Sequence, residues 1–481
     1  MTPLSFSKGR KLATLRRRGI EILSRLSVAA IVVAAGVLAF PETSGGLALP
    51  PAARLVLMLL FVAAFALYLR FEQPEVYRNT KLLALCAALA VITFGLAAVV
   101  TTILGRTEFA VPIVFGPLVL SILFDKRMAV VFALLLSVAL AAVAAYRPEF
   151  VPVAAVASVV AVYAVSGMRH RRRVYLAFLY IALSQAAALL ALDWGKGLPV
   201  NEVAMDLMAG MAGSLLGCLL MMVTLPIVES LYEVPSDITL LELSDLNRPL
   251  LRKLMLAAPG TYHHSLIVGA MAEMAAEAVG ANALLARVGA YYHDIGKLTK
   301  PEYYTENESS TRSRHANLAP SMSALVIKSH VAEGIEIAKE EKLPRFVRDV
   351  ISQHHGTTLT AFFYAKALDA DPTTPDTAYR YPGPRPRTRE SAIVMLADSV
   401  EGASRSLQDP TPSRLRGLVN KIVGMRLTEG QLDESGLTLS DVDRIREAFI
   451  TVLTGRFHTR VPYPELPVRR GGAREASALR A

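Results

Sequence analysis

Eight apolar runs fill the first half of this chain, at roughly 26–40, 52–70, 82–104, 109–124, 128–145, 150–166, 174–192 and 203–228. Each is long and uncharged enough to form a helix that satisfies its own backbone hydrogen bonds in hydrocarbon. No such run recurs after Leu231. The mean hydropathy of +0.40 and the apolar fraction of 53% over 481 residues exceed ordinary globular packing. The first half is therefore expected to be a polytopic helical membrane region.

Charge orients the runs, because Lys and Arg near span ends stay on the cytoplasmic side. The tail (Lys8, Arg10, Lys11, Arg16, Arg17, Arg18) and the loops sharing its side (Arg70, Arg78, Lys81; Lys126, Arg127; Arg169, Arg171, Arg172, Arg173) are basic. The alternate loops hold only Arg106, Arg147 and Lys196. Eight spans then place both termini in the cytoplasm. Basic residues before the first run also suit a cleaved signal peptide, but PETSGGLALPP after it lacks a small-x-small cleavage site, so retention is expected. The net charge of +10 is explained by juxtamembrane residues that meet anionic headgroups. The lipid bilayer is an expected partner and a nucleic-acid polymer is not. Cys86 and Cys218 lie inside apolar spans, which suggests neither a disulfide framework nor a thiolate metal site. Charges within the spans are rare, Asp206 and Glu229 being the ones to notice, and a transporter midplane is not indicated.

Past Leu231, VPSDITLLELSDLNRPLLRKL has cap-like Ser and Asp residues and a Pro break, and reads as a connector of short helices. Helical periodicity follows over about 263–279, 282–293, 320–341, 344–355, 389–407, 411–426 and 439–455. The fold class is all-α throughout: a basic tail (1–25), a membrane region (26–230), a connector (231–258), a helical bundle (259–465) and a disordered tail (466–481). The Pro-rich DADPTTPDTAYRYPGPRPRTRE reads as a mobile loop near the mouth of a site.

Seven of nine histidines fall between 263 and 355, as His263-His264, His293-Asp294, His315, His330 and His354-His355, with Asp398 following in an apolar helical stretch. Imidazole nitrogens and carboxylates bind first-row transition metals, so this distribution reads as a dinuclear hydrolytic centre. His264, His293, His330, His354 and Asp398 come from separate helices and can converge inside a bundle. Asp294 is the natural bridge, its two oxygens holding ions roughly 3.5 to 4 Å apart with a shared water that two Lewis acids activate. Lys297, three residues on, lies over the same face, where its ammonium can hold a phosphoryl oxygen or a leaving group. Met271, Met274, Tyr291 and Tyr292 read as helix core. His170 and His458 stand apart.

The run PGTYHHSLIVGAMAEMAAEAVGANALLARVGAYYHDIGKL, with SHVAEGIEIA, QHHGT, RYPGP and AIVMLADSVEGASRSLQDPTP, closely resembles the seven-transmembrane HD phosphohydrolases of the PgpH type. The likeness reaches back over the last seven spans, through LPIVESLYEVPSDITLLELSDLNRPLLRKLMLAAPG, and forward to about 465. It implies a bacterial inner-membrane protein whose cytosolic HD domain hydrolyses a cyclic dinucleotide, cyclic di-AMP, to linear pApA with two manganese or iron ions. It further implies that His264, His293, Asp294 and Asp398 surround one ion. Asp294, His330 and His354 would hold the other, with His355 as an additional ligand or substrate contact. His315 matches a rim histidine of the pattern, and His263 is expected beside the centre rather than on a metal. Tyr379, Arg380, Tyr381 and Arg389 are the expected base and phosphate contacts. A homodimer is a further expectation.

One departure stands out. Family members usually carry a large extracytoplasmic domain between the first span and the next seven, where this chain has only PETSGGLALPP. The alternatives are an HD phosphohydrolase for cyclic di-GMP or a guanosine polyphosphate, and a non-catalytic nucleotide receptor, against which the intact ligand set argues.

Overall fold

The computed structural model describes residues 4–40, 49–105, 107–165, 173–308 and 314–456, with side chains from residue 21 onward. Readings that rest on Arg106, Arg169, His170, Arg171, Arg172, His458 and the tail 466–481 lie outside those residues. The described residues are helical, with no strand beyond one bridge pair, Leu359 and Arg380, as the all-α reading requires. The chain divides into two compact units, 1–248 with 342–346 and 249–341 with 347–481.

Among the described residues of the first unit six helices are long and apolar enough to cross a membrane: Glu21–Leu38, Pro51–Glu72, Thr80–Ile103, Lys126–Ala144, Arg173–Lys196 and Val200–Tyr232. The other two expected spans are shorter, Glu108–Leu123 and Phe150–Val165. Pro112 lacks a backbone donor, and there the chain breaks between a 3-10 turn at Glu108–Ala110 and the helix Phe115–Leu123. Almost every residue of that helix is buried, so protein rather than lipid covers the irregular backbone before it. The helix Val200–Tyr232 makes the room: a Cβ on Gly213 would lie 2.9 Å from the Ala110 carbonyl, and one on Gly217 2.6 Å from Val114. Asp206 pairs with Arg147 at 2.9 Å, and Arg147 also holds Glu108 at 2.6 Å. Glu229 accepts from the Ser236 amide at 2.7 Å and the Thr239 hydroxyl at 2.8 Å, tying the last long helix to Asp237–Leu243. Both acids therefore have local partners.

The second unit is built around the helix Arg389–Ser404, buried without interruption from Ser391 to Ala397. A helix apolar on all sides belongs in the middle of a bundle. Thr388 caps it, its hydroxyl accepting from the Ser391 amide at 3.1 Å. Pro259–Val279 packs on it through Val268, Met271, Ala272 and Ala275, Pro412–Thr428 through Leu415, Val419 and Val423, and Leu439–Arg456 through Ile445, Phe449 and Leu453. Asp398 therefore projects from a helix that packing holds rigid.

Two expectations need correction. A helix at Ala361–Ala370 is too short to announce itself by period. The Pro-rich segment after it is pinned rather than loose. The Thr360 amide donates to the Tyr379 carbonyl and the Tyr381 amide to Thr358, both at 2.9 Å, while the Lys328 ammonium donates to the Arg380 carbonyl at 3.2 Å. The central helix yields a prediction: Phe449→Ala should destabilise the second unit by about 3–5 kcal/mol, read as a lowered melting temperature of the full chain in detergent. An unchanged melt would contradict this account of the core.

Candidate metal centre

The elements deliver their side chains to one point. His264 lies in Pro259–Val279, His330 in Pro320–Glu340 and Asp398 in Arg389–Ser404. His293 ends the helix Ala283–Tyr292, Asp294 follows it, and Lys297 sits in the 3-10 turn Ile295–Thr299. His354 and His355 lie just beyond Arg345–Gln353, in a turn closed by Gly356 at φ +51°, rather than inside a helix reaching 355. Tight packing brings the pieces together: a Cβ on Gly296 would lie 1.8 Å from the His330 carbonyl oxygen. Only glycine lets the His-Asp turn rest on that helix.

The Asp294 carboxylate is shared between two groups of imidazoles. Its Oδ2 is 3.2 Å from His293 Nε2 and 3.6 Å from His264 Nε2, while its Oδ1 is 3.4 Å from His330 Nε2 and 3.7 Å from His354 Nε2. Asp398 Oδ1 joins the first group, 3.0 Å from His264 and 3.8 Å from His293, and its Oδ2 lies 3.7 Å from His355 Nδ1. Among the described residues three donor sets of metal-binding spacing result, His264/His293/Asp398, His330/His354/His355 and, joining them through Asp294, His293/Asp294/His354.

Each inward nitrogen is aimed from behind. Nδ1 of His293, His330 and His354 donates to the carbonyl three residues earlier, on Ala290, Ile327 and Ile351, at 2.6, 2.6 and 2.8 Å. His264 differs, its Nδ1 meeting Glu401 Oε2 at 2.5 Å. These contacts fix the tautomer that leaves Nε2 free for a metal. His293 Nε2 and Asp294 Oδ1 are buried and make no hydrogen bond within the protein. Such orphaned groups at the focus of a histidine and carboxylate set are what divalent transition-metal ions would satisfy, so the residues fit the metal that the sequence resemblance implies.

Electrostatics agree. Burial pushes His330 down, His354 down to about 3 and His355 well below its usual range, leaving them neutral as ligands must be. Burial also opposes charge on His293, yet Asp294 and Asp398 push it up to about 10, and Asp398 with Glu401 raises His264. The carboxylates thus hold protons where a cation would otherwise stand. Against its own burial, Lys297 is kept charged by Asp294 Oδ2 at 2.8 Å and Glu306 Oε1 at 2.6 Å, and it holds Asp294 ionised in return.

Not every expected residue reaches the centre. Tyr381 does, stacking on His355 with centroids 4.2 Å apart. Tyr379 instead packs with Ala324, Ala367 and Tyr364, and Arg380 turns to Asp376 at 2.7 Å and the Thr357 carbonyl at 3.2 Å. Arg389 donates to the Val279 carbonyl at 2.6 Å from the first turn of its helix, nine residues and so roughly 13 Å of rise before Asp398. His263 is exposed beside Tyr262, and His315 bonds the Tyr303 carbonyl at 2.8 Å with its ring tilted against Phe363, centroids 5.0 Å apart. The residue that sequence reading missed is Glu401. It is fully buried and clasped by Arg405 at 2.9 Å and Arg456 at 2.9 Å; burial opposes its charge, but His264 and Arg405 hold it down at about 2. Its spacing of three from Asp398 was the available signal.

Comparison with known proteins gives this geometry a context. Residues 49–236 match the family described as a 7TM receptor with intracellular HD hydrolase, and residues 261–403 match the HD domain. The chain is 33% identical over 432 residues to the cyclic-di-AMP phosphodiesterase PgpH of Bacillus subtilis, covering 86% of this chain and 60% of that one. It is 32% identical to the protein of the same name in Listeria monocytogenes, covering 85% and 58%. The chain thus spans about 60% of the length of these relatives. The crystallised Listeria monocytogenes PgpH HD domain in complex with cyclic-di-AMP is 43% identical, with a TM-score of 0.43, and covers 45% of this chain and all of that one.

Two outcomes follow from the geometry. Glu401→Gln removes the charge behind His264 and should weaken metal retention about 10- to 100-fold, measured as metal per chain after dialysis against graded chelator. Full retention would reduce Glu401 to a packing role. Loading must also displace protons from His264 and His293, whose raised affinity for protons competes with metal below their folded pKa. Metal affinity should therefore rise with pH across the neutral range, with protons released on binding at pH 7.5. Titration calorimetry in buffers of different ionisation enthalpy tests this, and equal heats in all of them would refute it.

Proposed function

The chain belongs to the family of seven-transmembrane proteins carrying an HD hydrolase domain, and we propose that it is a membrane-anchored phosphodiesterase that opens cyclic di-AMP to linear pApA. The observation that carries the chemistry is the division of Asp294, one carboxylate oxygen toward His264 and His293 and the other toward His330 and His354. A single carboxylate placed so suits two ions and little else. The substrate reading rests on relatives named as cyclic-di-AMP phosphodiesterases that align over most of this chain.

His264, His293, Asp294 and Asp398 would hold one ion, and Asp294, His330 and His354, with His355, the other. Manganese and iron suit such a set, and two bound ions would supply an activated water and neutralise phosphoryl oxygens. The protein's own residues do the positioning. Lys297 is engaged by two carboxylates, so it acts by keeping Asp294 charged and aimed. His355 and Asp398 are the partly exposed members of the cluster, which makes their side the entrance for the scissile phosphate. Tyr381, flat against His355, forms one wall there and offers a stacking surface for a base.

Location follows from charge. The bundle from 259 onward would face the cytoplasm, where the nucleotide is, on the side of the basic loops. The expected result for Asp294→Asn, in full-length protein supplied with manganese, is loss of at least about 10³-fold in cyclic di-AMP turnover with unchanged far-UV circular dichroism. Wild-type protein should prefer cyclic di-AMP over cyclic di-GMP and guanosine tetraphosphate assayed alongside it. Undiminished turnover in the variant would sink the mechanism, and preference for another nucleotide would sink the substrate.

A further inference from the structure

A groove within the membrane unit has no part in the hydrolytic site. It is open along one side, has a volume of about 270 Å³ and is lined by the first helix from Ile22 to Val32, by Phe61, Phe65 and Leu69 of Pro51–Glu72, and by Leu83 to Ala90 of Thr80–Ala98. Ala29, Ala66, Ala87 and Ala90 line it, and their small side chains leave the space open.

Its two ends differ in chemistry. Arg25 and Tyr77 stand at one end, beside Leu69 near the close of one long helix and Leu83 near the start of the next, so this end lies at the edge of the apolar layer. Val32 is seven residues further along the first helix, roughly 10 Å deeper, and Phe61 and Ala90 lie correspondingly inward. The Arg25 guanidinium is 4.9 Å over the Tyr77 ring. Its nearest carboxylate, Glu21, is 4.0 Å away, and its buried Nε makes no hydrogen bond within the protein. Arg78 and Lys81 follow Tyr77 in the chain, exposed. A cation and an aromatic ring at the interface, above an apolar slot running inward, match a molecule with an anionic head and a hydrocarbon tail.

We propose that this groove binds one anionic glycerophospholipid, its phosphate on Arg25 and one acyl chain lying between the first helix and the helices Pro51–Glu72 and Thr80–Ala98. The first helix packs against both of these, and the acyl chain completes that packing. The lipid is the preferred occupant over a second copy of the chain because the slot opens beside a basic side chain and lies where lipid is the solvent.

Native mass spectrometry of the full chain tests the proposal, with protein released from nanodiscs of equal phosphatidylglycerol and phosphatidylethanolamine. The expected result is one retained lipid per chain, phosphatidylglycerol at least tenfold over phosphatidylethanolamine. Arg25→Gln should abolish that preference, and Ala87→Phe, which fills the slot, should abolish retention of either lipid. If Ala87→Phe fails to fold, Arg25→Gln against Arg25→Lys decides, the lysine retaining the preference. No retained lipid, equal retention of both lipids by wild type, or a preference indifferent to Arg25 would overturn the proposal. So would a dimer that Ala87→Phe dissociates without change in bound lipid.

Discussion

The centre depends on one buried carboxylate facing two ways. Asp294 is 2% exposed and would be costly to keep charged without compensation. Lys297 supplies it from one side, and imidazoles surround the others. Lys297 is itself braced by Glu306, which accepts from the Thr261 hydroxyl at 3.1 Å, close to His264 in sequence. Orientation of this carboxylate is thus shared among the first helix of the bundle, the His-Asp turn and the short turns near 306. A change at any of them reaches the carboxylate.

Close backbone approach enforces that arrangement. Gly296 has no space for a Cβ against the His330 carbonyl, and Gly260 has none against the Glu306 carbonyl, 1.8 Å in each case. Both contacts press a turn against a helix that carries or neighbours a residue of the cluster. The glycines contribute no donor atom, yet they set how near the donors come. The membrane unit uses the same device at Gly213 and Gly217, where small residues let a broken segment sit against a long helix.

What was legible in the sequence divides along physical lines. Residue type announces metal chemistry, because few arrangements other than a metal site gather His264, His293, His330, His354 and two aspartates. Length and apolarity announce membrane helices, although the runs at 109–124 and 150–166 fold into shorter helices than the others. Direction is harder. Arg389 and Tyr379 have the chemistry of substrate contacts, but nothing in their type says that one ties off the end of a neighbouring helix and the other fills a small core. Glu401 shows the converse, since a glutamate among alanines and serines looks like a solvated face until Arg405 and Arg456 close over it.

The asymmetry behind the four inward histidines carries a consequence for the two half-sites. Three are backed by neutral carbonyls and one by an ionised glutamate. A carboxylate behind an imidazole raises its basicity more than a carbonyl does, so the His264 half-site should be the stronger donor. The other half-site is backed by carbonyls alone at His330 and His354, and its His355 is the more open to solvent, which suits a position where substrate would enter and product leave. Tight holding on one side and access on the other would then come from the atoms behind the ligands, with Asp294 joining the two.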